Sequence, residues 1–349
     1  MVGAFNARAA FFDPPHESAF RLFNGFLEGC PGLVMDVYAS TLVLFNLADP
    51  PLNLEETIRP ALDLARARLP WLESALLKRR HSPLPEERRG LLLAGSALSR
   101  KVREHGVWYA LELVLHQDTS LYLDTRNLRK WAIENLRGKS VLNTFAYTGS
   151  LGVAALAGGA ARVVQLDLDR RFLHLAKTSC ALNGFPVRKA DFIAGDFFPV
   201  VSRMKRSGER FDCVFLDPPF FSATPHGRLD LNTDSARLIN KVRPLINDGG
   251  WLVAINNALY VSGREYLSAL EALCADGYLS LADLILVPDD CSGYPETRIS
   301  TPVTDPSPFN HDSTAKRLLH SAAREDCQEN AKSQIIIRNY SAIDVGVLS

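Results

Sequence analysis

Nowhere in the 349 residues does an uncharged apolar run reach the ~18 residues expected of a membrane-spanning helix. No span is therefore expected. Neither sign of charge dominates: Lys+Arg and Asp+Glu are both 39. That balance excludes overall attraction to a polyanion and confines any nucleic-acid surface to a local patch. The six cysteines (Cys30, Cys180, Cys213, Cys274, Cys291, Cys327) contain no C-x-x-C pair. Their spacing argues against zinc and against a disulfide framework, and fits a reducing compartment. The opening residues, MVGAFNARAAFFDPPHES, lack the basic stretch and apolar core of a secretory signal. These absences suit a cytoplasmic, globular protein long enough for about two domains.

What is present divides into two patterns. LVMDVYASTLVLFN (Leu33–Asn46) reads as two strands joined at Ala39-Ser40. NLEETIRPALDLARARL (Asn53–Leu69) has helical spacing, with Pro60 expected to bend or delay the helix. ESALLKRR and GVWYALELVL supply two more strands, so residues 1–118 read as a small α+β domain of β-β-α-β-β order. Beyond it, strands are expected at Ser140–Phe145, Ala161–Leu166, Asp191–Ala194, Phe211–Leu216, Gly250–Ile255 and Tyr278–Val287. Helices are expected at Ser150–Ala157, Arg170–Asn183, Phe197–Lys205, Asp234–Leu245 and Arg264–Ala275. This alternation predicts a doubly wound α/β domain over residues 119–317, its parallel sheet covered on both faces. CSGYPETRISTPVTDPSPF (Cys291–Phe309), with four prolines, is a long irregular segment. In the tail, residues 318–349, SQIIIRNYSAIDVGVLS reads either as a final strand or as a ragged end.

The strongest local signal is SVLNTFAYTGSLGVAALAGGAARVVQLDLD (Ser140–Asp169). A strand breaks into Tyr147-Thr-Gly149, a helix of small residues begins, and a second strand ends on Asp167. Gly149 would let the backbone approach a ligand beside the free N–H groups of a helix N-terminus. Asp167 follows Gly149 by 18 residues, near the ~20 at which a carboxylate holds a ribose diol. That spacing also fits a dinucleotide enzyme. The loop lacks G-x-G-x-x-G, however, and with it a pyrophosphate cradle. A second carboxylate, Asp196 in AGDFF, ends the third strand, where an adenine amino group could donate to it. Two carboxylates after adjacent strands suit an adenosine without phosphates, as in S-adenosylmethionine. As helix N-caps they would be structural.

A second signal is FDCVFLDPPFFS. Two prolines cannot donate to a β ladder, so the buried strand Phe211–Leu216 must stop at Asp217. A carboxylate, a rigid kink and two rings then make either a turn with a hydrophobic lid or a site for a flat, nitrogen-bearing group.

TSLYLDTRNLR, NTFAYTGSLGVAALAGGA, LDLDRRFLHLAKTSCALNG and VFLDPPFFS together resemble the class I S-adenosylmethionine-dependent methyltransferases. They are most similar to the branch that methylates large-subunit ribosomal RNA at cytosine C5 or guanine N7. The likeness runs from about Glu104 to Asn257, and AFRLFNGFLEGCPGLVMDVYASTLVLF resembles the small α+β domain preceding the catalytic domain in that branch. Because the hairpin begins so early, the RNA-binding PUA domain that many relatives carry ahead of it is not expected in this sequence. The resemblance implies a Rossmann-like class I fold and S-adenosyl-L-methionine as cofactor. Its contacts would be Asp124 and Arg126 of the L-D-x-R turn and the backbone around Asn143, Phe145, Tyr147 and Gly149. Asp167 would hold the ribose and Asp196 the adenine, with Asn183 bracing the helix nearby. The structural alternative for Arg126 is a surface ion pair with Asp124.

Methyl transfer from a sulfonium is an in-line displacement, so most of the catalysis is positioning. The resemblance makes Asp217, Pro218, Pro219 and Phe220 the catalytic turn. Asp217 would orient an exocyclic amino group or ring N–H, and Phe220 or Phe221 would stack on the acceptor. Cytosine C5 is a poor nucleophile that needs a thiolate to add first. Relatives acting on that carbon carry Ser-Cys-Ser where this chain has Asn256 and Asn257, candidate ligands of a base edge. Cys213 lies within a strand and Cys291 in the proline-rich loop, so a nitrogen acceptor is expected. Lys78, Arg79, Arg80, Arg88, Arg89, Arg100, Lys101 and Arg103 form a basic cluster against three glutamates. It reads either as a phosphate-contacting patch or as a solvated charged face. His311, in PFNHD, resembles a family loop on the substrate side. The expected function is methylation of a base nitrogen in ribosomal RNA. Alternatives are a small-molecule or protein acceptor, a nicotinamide-dependent oxidoreductase, and a non-catalytic RNA-binding relative.

Overall fold

The first strand of the structure, Ala19–Asn24 (β1), is one that alternation does not reveal, because its residues are buried on both faces. It pairs antiparallel with Leu33–Tyr38 (β2), which turns through Ala39 at φ +53° into Thr41–Asn46 (β3). Ser74–Arg79 (β4) then lies parallel to β3 and antiparallel to Leu91–Ala94 (β5). The parallel pair needs a crossover, supplied by helix α2 (Glu55–Arg68). This helix runs through Pro60 without delay and buries Ile58, Ala61, Leu62 and Ala65 against Phe20, Leu22, Met35 and Leu77. The short helix α1 (Val2–Ala7) precedes this sheet in sequence, and α3 (Pro85–Arg89) lies between β4 and β5. The order is thus β-β-β-α-β-α-β, one strand and one short helix more than expected. GVWYALELVL is not the last strand of that sheet. Val107–Ala110 (β7) instead closes a separate hairpin with Lys101–Glu104 (β6).

This computed structural model describes residues 1–12, 14–25, 27–224, 227–257, 263–275, 277–291 and 334–339. The chain forms two compact units, residues 1–197 with 288–291, and residues 198–287 with the strand at 334–339. The proline-rich segment beyond Cys291, His311, Cys327 and the helix-or-coil stretch before 334 lie outside the described residues.

The first unit also contains α4 (Arg126–Asn135), β8 (Ser140–Thr144), α5 (Ser150–Ala157), β9 (Arg162–Asp167), α6 (Arg170–Leu182) and β10 (Phe192–Ala194). β8, β9 and β10 are parallel, each at most a residue or two from its expected bounds. The second unit contains α7, which begins at Phe197 and ends at Arg206, and β11 (Phe211–Leu216). The hairpin β12–β13 (Phe221–Thr224, Gly227–Asp230), α8 (Leu231–Val242), β14 (Ile246–Ile255), α9 (Gly263–Cys274), β15 (Leu279–Ile285) and β16 (Gln334–Asn339) follow. Within the first unit the strands lie in the order β10-β9-β8, and within the second in the order β11-β14-β16-β15. The question left open by the tail is answered by β16: it lies antiparallel between β14 and β15, with Ile335, Ile336 and Ile337 all buried. Three consecutive isoleucines cannot be solvated cheaply, and a two-sided central strand hides all of them.

Candidate active site

The loop leaving β8 is strained in a repeating way. Phe145, Tyr147 and Gly149 have φ of +53°, +51° and +75°. For the two aromatics this left-handed backbone costs roughly 1–2 kcal/mol each, so other contacts must impose it. Ala146 N–H donates to the Leu166 carbonyl at 2.8 Å, and Tyr147 N–H to Asp167 Oδ2 at 2.7 Å. Thr148 Oγ1 donates to the Ser120 carbonyl at 2.6 Å, and the Tyr147 hydroxyl to the Thr119 carbonyl at 2.9 Å. The Tyr147 ring is wedged against Tyr122 and Phe172. At Gly149 the space a Cβ would fill is taken by Ala176 Cβ (2.5 Å) and Gln165 Nε2 (2.9 Å). The glycine therefore serves its positive φ and close internal packing.

Asp167 ends β9 with both carboxylate oxygens engaged by backbone: Oδ2 by Tyr147 N–H and Oδ1 by Asp169 N–H at 2.8 Å. Burial raises its pKa to about 6, the backbone donors opposing the shift. Asp196 follows β10, whose Ala194 is paired with Asp167 in register, and Gly195 N–H donates to the Asp167 carbonyl at 2.9 Å. The next residue, Phe197, stacks on Phe145 with ring centroids 4.6 Å apart. Phe145, Tyr147, Gly149, Asp167 and Asp196 thus come together at the strand ends of one sheet. Phe197 and the Thr119-Ser120 carbonyls were not legible beforehand, because the loop conformation that makes them neighbours carries no sequence signature.

Three expected cofactor residues are anchored through their side chains, Asn183 by bracing α6 as expected. The Arg126 guanidinium is buried and pairs with Asp290 through two hydrogen bonds, 2.7 and 3.0 Å, while Nη2 also donates to the Ala19 carbonyl. It is neither exposed nor paired with Asp124, which sits in the turn before α4. Asn143 is buried inside β8 and donates to Gln165 Oε1 at 2.8 Å. Asn183 caps α6 and holds β7: its Nδ2 donates to the Trp108 carbonyl at 2.7 Å and its Oδ1 accepts from Trp108 N–H at 2.9 Å.

In the second unit Asp217 follows β11 and is half-buried. One amide nitrogen fixes this turn: Asn257 Nδ2 donates to Asp217 Oδ1 at 2.6 Å and to the Pro218 carbonyl at 2.9 Å. Both N–H groups of Asn257 are thereby consumed, so as a base-edge ligand it could only accept. Asn256 is buried, Pro218 is buried, Pro219 is exposed, and Phe221 is 49% exposed at the start of β12. Tyr266 packs beneath, its phenol pushed up by burial and by Asp217.

Burial drives the thiols of Cys213 and Cys291 upward, so neither is a thiolate at neutral pH. The basic cluster is largely neutralised. Lys78 is buried with Nζ directed at the carbonyls of Arg89, His116 and Asp118. Arg79 pairs with Glu55 and Glu87, Arg80 with Asp118, and Arg100 with Glu112. Among the described residues no helix is long and apolar enough to cross a membrane, and no group of His, Cys, Asp and Glu could hold a metal ion.

Comparison with known proteins agrees with this arrangement. Residues 40–278 match the model of the S-adenosylmethionine-dependent methyltransferase family. The chain is 30% identical over 232 residues to ribosomal RNA large subunit methyltransferase I of Photobacterium profundum, covering 64% of this chain and 58% of that one. It is 35% identical over 187 residues to ribosomal RNA large subunit methyltransferase K/L of Shewanella pealeana, covering 53% and 25%. The chain therefore spans little more than half of the one relative and a quarter of the other. Its fold matches the crystal structure of SMU.776, described as a methyltransferase complexed with SAH, with TM-score 0.76 at 21% identity over 97% of this chain and 79% of that one. By its family match and its fold, the chain belongs to the S-adenosylmethionine-dependent methyltransferases.

Proposed function

We propose that this protein methylates a ring or exocyclic nitrogen of a base in ribosomal RNA. The observation that carries the acceptor assignment is the Asp217–Asn257 clamp on a D-P-P-F turn, with the thiols of Cys213 and Cys291 pushed upward by burial. Two relatives are named as large-subunit ribosomal RNA methyltransferases, which supports the RNA. Such a substrate is cytoplasmic.

The first unit suits the cofactor. Both Asp167 oxygens accept backbone N–H groups, and the roughly four lone-pair sites of a carboxylate leave room for a ribose hydroxyl. Asp196 accepts from the adenine amino group, and the Phe145–Gly149 backbone lines the nucleoside. Bound S-adenosylmethionine supplies an electrophilic methyl on a sulfonium. The chain's own contribution is orientation. Asp217 accepts a hydrogen bond from the base, Asn257 holds that carboxylate still, and Phe220 or Phe221 stacks on the ring for ~1–3 kcal/mol. Residues 1–118 form the substrate-contacting α+β domain, and residues 119–317, together with β16 from the tail, the catalytic one.

The ion-paired state of the cluster from Lys78 to Arg100 favours a second reading, a small-molecule or protein acceptor. Mass spectrometry of ribosomal RNA nucleosides from a deletion strain decides between them. Loss of one N-methylated nucleoside, restored by wild type and not by Asp217→Ala, supports the RNA assignment. An unchanged profile removes it.

A further inference from the structure

A run of cations lies on α6 and on the hairpin fastened to it. Residues 170–190, RRFLHLAKTSCALNGFPVRKA, include Arg170, Arg171, Lys177, Arg188 and Lys189 and not one Asp or Glu, within a chain of balanced charge. Arg170 and His174 are exposed and have no side-chain partner among the described residues. With Glu112, Leu115, Arg171 and Leu175 they line an open groove of about 360 Å³. The acids bordering the groove are already matched: Glu112 binds Arg100, and Asp169 binds Arg171. The hairpin β6–β7 is held to the same helix by Asn183 and by Ser179, whose Oγ accepts from Ala110 N–H at 2.9 Å. It carries an exposed Lys101 with Nζ 4.1 Å from the Trp108 ring centroid, and Arg103 at 5.6 Å on the same indole.

We propose that α6 and the β6–β7 hairpin form the surface that binds the RNA backbone, with Arg170, His174, Lys177 and Lys101 on phosphates and Trp108 against an unpaired base. This rests on the RNA reading above and locates its contacts. Cations interleaved with an aromatic ring match a single-stranded or looped nucleic acid, whose phosphates need charge and whose bases need a flat partner. The cluster from Lys78 to Arg100, which its sequence makes the obvious patch, has spent most of its charge on Glu55, Glu87, Glu112, Asp118 and backbone carbonyls.

The test is filter binding of transcribed, unmodified large-subunit ribosomal RNA to the full chain across a salt series. Calorimetry with S-adenosylhomocysteine on every variant confirms an intact fold. Each lost phosphate contact removes about 0.7–0.9 from the slope of log K against log salt. Lys101→Ala/Arg170→Ala/Lys177→Ala should therefore flatten the slope by about 2 and weaken binding at least tenfold, with the thioether still bound. Trp108→Ala should weaken binding and leave the slope unchanged. An unchanged slope in the triple variant, or an equal loss in Arg66→Ala/Arg68→Ala/Arg137→Ala elsewhere on the surface, overturns the surface while leaving RNA as substrate. Wild-type protein that binds the thioether but retains no RNA overturns both.

Discussion

Asp290 and Arg126, 164 positions apart, meet as a buried bidentate ion pair, with Nη1–Oδ1 at 2.7 Å and Nη2–Oδ2 at 3.0 Å. Asp290 also accepts from Arg21 N–H at 2.8 Å, and Arg126 Nε lies 3.5 Å from Glu104, which is itself doubly bonded to the buried Arg129. A carboxylate beyond β15 is thereby made part of the first unit.

Removing one partner strands the other charge away from water. Asp290→Ala should cost about 3–5 kcal/mol in denaturant unfolding. Burial pushes the Asp290 carboxyl up, but the hydrogen bonds and charge of Arg126 outweigh it and hold the carboxyl below its ordinary value. The native state therefore binds this proton less readily than the unfolded chain. The pair's stabilisation is complete above about pH 4 and disappears as pH falls through the folded value. A matched loss in Arg126→Ala, non-additive in the double variant, completes the check.

Asp167 has the opposite sign. Its folded pKa of about 6, raised chiefly by burial, means the free protein gives up stability as pH rises from about 4 to 6. Ribose hydroxyls favour the ionised form, so binding of S-adenosylhomocysteine should release a proton in that window. Below pH 6 its affinity should fall by up to about tenfold per unit. Asp167→Asn should abolish this pH dependence and weaken binding about 10- to 100-fold. Calorimetry in buffers of different ionisation enthalpy reads both effects.

Asn257→Ala frees the Asp217 carboxylate and the Pro218 carbonyl together. Single-turnover methylation should slow by about 10- to 100-fold, in keeping with lost orientation, while S-adenosylhomocysteine affinity stays at the wild-type value. A variant with normal turnover would show that the clamp is only structural.

Lys78 is a buried ammonium whose pKa falls to about 8, chiefly through burial, with Asp118 opposing the shift. The folded state releases this proton before the unfolded chain does. The lysine's contribution to stability should therefore rise between about pH 8 and 10. Lys78→Met should lose that rise and cost about 1–3 kcal/mol for the carbonyls it leaves unpaired. Melting curves at pH 7, 8 and 9, read as the difference between the two proteins, test this.

Cys291→Ala and Cys213→Ala should each leave the methylation rate within about twofold of wild type, because neither thiol ionises near neutrality. A loss beyond about a hundredfold in single-turnover rate, with normal S-adenosylhomocysteine binding, would restore a carbon acceptor and a covalent step.

The alternation of buried strands and amphipathic helices, the two prolines that stop β11 and the carboxylates closing β9 and β10 are local properties of the chain. Each follows from hydrogen-bonding capacity or side-chain period over a few residues, so the α/β domain and the Asp167, Asp196 and Asp217 positions could be read in order from the sequence. β1 escaped because a strand buried on both faces shows no period, and β16 stood undecided because three isoleucines suit any buried element. The charges were least legible. Arg126 looked like a cofactor contact and Lys78 like part of an RNA patch, and both are buried among partners far away in sequence. A charge seeks its lowest energy through space, so its role is decided by which carbonyl or carboxylate the fold brings within 3 Å, and only the tertiary structure determines that.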